Sequence, residues 1–154
     1  MIDSVCTTLQ NGEKKADVLL TKSFILNRLE RWEESEFCLG ETSEMLHDGS
    51  PLWSLYDMRM AELYIGEKRF VEALQVIDSA LVDANNIGNL GMESVCLQKK
   101  SYILRNLGDY QTALECLDSF LVHYDTILAR NDHEKVAIMR YQHDFDKMKQ
   151  QYES

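Results

Sequence analysis

Apolar residues recur along this chain at steps of three and four, and no stretch alternates residue by residue as a strand does. The pattern predicts an all-α protein of seven helices preceded by a short N-terminal one. The short piece covers Ile2–Gln10 and is expected to end at Asn11-Gly12, a helix-stop pair. The first long helix is expected over Lys14–Leu29, with Val18, Leu19, Lys22, Ile25, Leu26 and Leu29 along one side. Six more follow over Trp32–His47, Pro51–Glu67, Phe70–Asn85, Met92–Leu107, Tyr110–Ala129 and His133–Tyr152. Asp48-Gly49-Ser50-Pro51 is the clearest break: Ser50 suits a cap and Pro51 the first helical position. A loop is expected over Asn86–Gly91, and Asp132 can cap the last helix. The connections are short and polar, so successive helices should lie antiparallel.

Three segments share one design: Leu29-Glu30-Arg31-Trp32-Glu33-Glu34-Ser35, Glu67-Lys68-Arg69-Phe70-Val71-Glu72-Ala73 and Leu107-Gly108-Asp109-Tyr110-Gln111-Thr112-Ala113. Each is a tight turn, an aromatic, and a small residue three positions later. The small residues fall at 35, 73 and 113, so the periods are 38 and 40 residues. Self-similarity at such a period marks a stacked repeat array, an architecture that binds on extended surfaces.

Further positions sharpen the pattern. The second unit has Ala61 and Tyr64 on its first helix, then Phe70, Ala73 and Ala80. The third has Ser101 and Leu104, then Gly108-Asp109-Tyr110, Ala113 and Phe120. The first has Ser23 and Leu26, then Trp32, Ser35 and Thr42. Small residues at these places let paired helices cross closely, while the aromatic fills the gap to the next unit. Over about residues 14–129 the chain resembles the tetratricopeptide repeat (TPR) family. It departs from that pattern at Phe120, and at Arg31 and Arg69, where the turn of the family has Asp and loses a cap here. The resemblance implies a right-handed solenoid of antiparallel helix pairs. Its divisions are a short N-terminal helix (1–12), three repeats (13–50, 51–90 and 91–131) and a C-terminal capping or exit helix (132–154).

The resemblance also implies an inner groove lined by first-helix positions: Leu20, Phe24, Asn27, Met58, Glu62, Val95, Gln98, Tyr102 and Arg105. An apolar groove with an Arg and an amide suits a peptide or an amphipathic helix; the alternatives are that it is empty or that another helix fills it. The clamp with which some TPR domains grip chaperone tails is not matched, because Leu20, Phe24, Arg59, Val95 and Lys99 occupy its positions. The last helix carries Ala137, Tyr141, Phe145, Met148 and Tyr152 as one stripe. That stripe is either a cap over the end of the third repeat or an association surface pairing with a second copy. The segment looks like the exit helix of bacterial TPR sensor regions that lead into a diguanylate cyclase (GGDEF) or histidine kinase domain. A stand-alone scaffold and a fragment of a peptide-pheromone receptor are the alternatives.

Composition narrows the chemistry. The 154 residues carry a net charge of −10 and no Lys/Arg cluster, which argues against nucleic acid as a partner and leaves a protein or peptide. No apolar run is long enough to cross a membrane and no leader peptide is visible; a cytoplasmic location is expected because unpaired-looking thiols suit a reducing compartment. Cys6, Cys38, Cys96 and Cys116 lack zinc-knuckle spacing and read as small core residues of a reducing compartment. His47, His123, His133 and His143 share no helical metal spacing. With no phosphate loop, nucleophile elbow or metalloprotease motif, no enzyme activity, cofactor or metal is expected.

Overall fold

The computed structural model describes residues 2–130 and 133–153. Its seven helices are α1 (Ile2–Arg28), α2 (Trp32–Met45), α3 (Trp53–Gly66), α4 (Phe70–Ile87), α5 (Leu90–Leu107), α6 (Tyr110–Ala129) and α7 (His133–Glu153), with no strand among the described residues. Helices α1 and α2, α3 and α4, and α5 and α6 pack as pairs; α2 also packs on α3, and α4 on α5. Short turns join the two helices of each pair, so they run antiparallel. The expected cap Asp132 lies outside the described residues, as do the side chains of Cys6 and Ala137.

The three within-pair turns are one backbone written in different residues. The amides of Arg31, Arg69 and Asp109 donate back to the carbonyls of Leu26, Tyr64 and Leu104, at 2.9, 2.7 and 2.9 Å. Glu30, Lys68 and Gly108 sit one residue earlier in the left-handed region, with φ of 57°, 60° and 86°. This closure satisfies helix-end carbonyls and normally takes glycine. At the next position Asp109 accepts from the Thr112 amide at 3.3 Å, whereas Arg31 and Arg69 supply no side-chain cap.

Burial follows the small-residue pattern. Ser23, Ala61 and Ser101 on the first helices are buried, as are Ser35, Ala73 and Ala113 and then Thr42 and Ala80 on the second. Close crossing is visible where the Ser35 hydroxyl donates to the Ser23 carbonyl at 3.4 Å. Phe120 is half-buried at the last small site. Two of the three repeat aromatics, Trp32 and Phe70, bridge units, whereas Tyr110 is exposed. The Trp32 indole lies so close to Gly66 that a Cβ there would sit 2.6 Å from its Cζ2, and the Phe70 ring lies 6.4 Å from that of Tyr102. One core cluster joins Leu20, Leu39 and Leu63; a second joins Met58, Ala61, Ala73, Ile77, Ala80, Cys96 and Ile103; a third joins Leu104, Ala113 and Cys116.

Three expectations are corrected. Asn11-Gly12 does not stop a helix, because α1 runs through it. The next residue, Glu13, accepts from the Ser50 hydroxyl and pairs with His47 Nε2, both at 2.9 Å, tying α1 to the α2–α3 connection. These tertiary contacts outweigh a local stop signal. The loop expected over Asn86–Gly91 shrinks to two residues: Gly88 turns left-handed, and Asn89 caps α5 by accepting from the Met92 amide at 3.0 Å. On α1 the buried residues are Ala16, Leu20, Ser23, Leu26 and Asn27; of the expected stripe Leu26 is buried, while Val18, Ile25 and Leu29 are exposed. Small residues turn inward because α2 lies close against them.

Candidate binding face of the first helices

The first helices of the three pairs, α1, α3 and α5, are linked along one face by side chains. Phe24 on α1 lies under the Arg59 guanidinium of α3 at 4.6 Å. Arg59 Nη1 reaches Glu62 Oε1 at 2.9 Å, and Lys99 Nζ of α5 reaches the same oxygen at 3.3 Å. Asn27 Nδ2 donates to the Arg59 carbonyl at 3.3 Å. The carboxylate of Glu62 thus holds two cations that would otherwise repel, in a largely buried setting where the attraction is weakly screened. Among the described residues, Asn27 Oδ1, Arg59 Nε and Glu62 Oε2 are buried without a hydrogen-bond partner. Such atoms are costly to leave unpaired, so this floor is primed for a polar guest such as water or a ligand amide.

Helix α7 crosses this face. Its Phe145 ring lies 4.8 Å from the Arg28 guanidinium of α1. Two cavities remain beneath it. The larger, about 910 Å³, is lined by Met58, Met92, Val95 and Gln98 of the first helices, by Phe120, Tyr124 and Ile127 of α6, and by Met139, Gln142 and His143 of α7. The smaller, about 430 Å³, is lined by Phe24, Asn27, Glu62, Gln98, Lys99 and Tyr102, with Gln142, Asp146 and Lys149 from α7. One is mainly apolar in its walls; the other contains the ion-pair cluster.

Of the nine expected groove residues, Phe24, Asn27, Met58, Glu62, Val95, Gln98 and Tyr102 line these cavities. Arg105 lines neither and stacks on the Tyr102 ring at 5.2 Å. Leu20 is fully buried against Leu39 and Leu63 and is withdrawn from the face, because the helix rotation that buries Ser23 buries Leu20 with it. The expected association residues Tyr141, Met148 and Tyr152 point to solvent, and Phe145 is partly covered by Arg28. α7 therefore turns its polar side to the array. The contributions of Phe120, Tyr124 and Ile127 were not expected from first-helix spacing; their signal is the apolar density of α6, which continues past the repeat positions.

The three described thiols, Cys38, Cys96 and Cys116, are buried. Burial pushes the Cys96 thiol up to about 12, and burial also raises those of Cys38 and Cys116. No group of three His, Cys, Asp or Glu among the described residues is arranged to hold a metal ion. No described helix is long and apolar enough to cross a membrane. Comparisons with protein families, curated proteins and solved structures find no match for this chain.

Proposed function

We propose that the first-helix face takes up a polypeptide segment and that the chain is a non-catalytic, TPR-like binding module. The observation that carries this is the cavity of about 910 Å³ between that face and α7, bounded by methionine, valine and aromatic side chains. Methionine-lined concavities adapt to varied apolar side chains, and a cavity of this size accommodates several of them. The neighbouring Asn27, Arg59 and Glu62 atoms lacking partners offer both acceptors and a donor, the set a peptide amide satisfies. A sensor role upstream of a diguanylate cyclase or histidine kinase domain rests on the resemblance of α7 to exit helices. It is supported by the exposure of Tyr141, Met148 and Tyr152, which leaves that helix free to relay a change in the face beneath it.

The test is to select peptides from a random displayed library on the full chain and measure a labelled winner by fluorescence anisotropy. Val95→Glu puts a carboxylate on the apolar wall and should weaken binding about tenfold or more. Val82→Glu, on the exposed side of α4, should leave it unchanged. Failure to select any peptide, or equal binding by Val95→Glu, would overturn the reading.

A further inference from the structure

In the second pair, Phe70, Leu74, Ile77 and Leu81 of α4 form a stripe that packs into the core beside α5. Forty residues on, α6 repeats that stripe as Tyr110, Leu114, Leu117 and Leu121. Here all four are exposed, Tyr110 at 65% and Leu114 at 59%. The same surface that makes the core of one unit is bare at the end of the array. A row of this length is unusual on a finished surface and marks a contact.

α7 carries the matching row. Down α6 the steps from Leu121 to Leu117, Leu114 and Tyr110 are four, three and four. Up α7 the steps from Tyr141 to Phe145, Met148 and Tyr152 are also four, three and four. An antiparallel hairpin turning at residue 131 puts Leu121 level with Tyr141, Leu117 with Phe145, Leu114 with Met148 and Tyr110 with Tyr152. Equal steps on both helices keep that register over three turns, the spacing that antiparallel helix packing requires. Only residues 130–132 separate α6 from α7, a connection of ordinary length for such a hairpin. Charge does not set this register: Glu115 falls level with Lys147, but Asp118 falls level with Asp144 and Asp109 with Glu153. A second copy's α6 would instead bring the row flanked by Asp109, Glu115, Asp118 and Asp125 against itself.

We propose that the outward stripe of α6 is a second seat for this chain's own α7. In one seat α7 lies across the first-helix face; in the other it closes the end of the array with its apolar stripe turned inward. Moving between them uncovers the first-helix face, so a guest that takes the place of α7 on that face favours the α6 seat through its differential affinity for the two states, whereas one held in the cavity under α7 does not. The α6 seat stands on the register alone and does not depend on what the first-helix face binds.

Paired cysteines in the full chain decide it, with Cys6→Ser as background; Cys38, Cys96 and Cys116 are buried. The level pairs are Leu121→Cys with Tyr141→Cys, and Leu114→Cys with Met148→Cys; the offset pair is Leu114→Cys with Tyr141→Cys. Leu114, Leu121, Tyr141 and Met148 are all exposed, and far-UV circular dichroism checks the fold. Under glutathione-disulfide oxidation, peptide mass mapping should find an intrachain disulfide in both level pairs about tenfold or more faster than in the offset pair. Equal rates would overturn the α6 seat. Level-pair disulfides found only between chains would overturn it too, assigning the stripe to a second copy.

Discussion

At the scale of single residues, the three turns are an internal comparison. Glu30 and Lys68 hold the left-handed conformation that Gly108 holds without a Cβ. That conformation costs an L-residue roughly 1–2 kcal/mol, part of which glycine returns as extra freedom in the unfolded chain. Arg69 has nearly the backbone angles of Asp109, with φ and ψ of −93° and 71° against −89° and 73°, yet caps nothing. Its guanidinium lies over the Tyr64 ring at 4.6 Å, a contact the change would lose. Lys68→Gly with Arg69→Asp should therefore stabilise the chain by about 1 kcal/mol net, read as a higher urea midpoint at unchanged slope. An unchanged or lower midpoint would show that the second turn is not limited by its residues. The arginines in place of the cap were legible in the sequence. The strained position before them was not, because a Glu or Lys gives no hint of positive φ until the closing hydrogen bonds are seen.

At the scale of elements, boundaries were legible where the turn chemistry is strong. The starts of α2 at Trp32, of α4 at Phe70 and of α6 at Tyr110 fall where the repeated motif places them. They were not legible where distant contacts decide. Pro51 does not open α3; it lies in a turn in which Ser50 Oγ accepts from the Leu52 amide, and α3 begins at Trp53. The seam of α3 and α4 hides a second feature. Asp57 of α3 accepts from the Ser79 hydroxyl of α4 at 3.0 Å and lies near Asp83. Burial, aided by Asp83 and opposed by the Ser79 bond, raises its carboxyl to about 6. A carboxyl raised in the folded state favours folding most fully below its ordinary value near 4, and that contribution is lost as pH rises through 6. Wild type should thus lose about 1 kcal/mol between pH 4 and pH 7 relative to Asp57→Asn, the full shift being reduced by solvent screening. Urea melts of both proteins across that range check it; parallel pH profiles would refute it.

At the scale of the whole molecule, the candidate face was legible in outline because a repeat puts equivalent first-helix positions side by side. What the sequence could not supply was the course of α7. Its apolar stripe suggested either a cap on the last repeat or an association surface, and in the structure the helix lies across the first-helix face with Tyr152 90% exposed. Local periodicity specifies a helix and its faces; where it docks depends on the competing surfaces that the rest of the fold presents. Here two such surfaces exist, the first-helix face and the bare side of α6.

The methionines offer the most direct measurement. Met58, Met92 and Met139 line the larger cavity, while Met45 and Met60 lie outside it. Carbon-13 methyl spectra of the full chain, titrated with a library-selected peptide, should show shifts at Met58, Met92 and Met139 and steady signals at Met45 and Met60. Shifts confined to Met45 and Met60, or none at saturating peptide, would contradict the first-helix face as the binding surface.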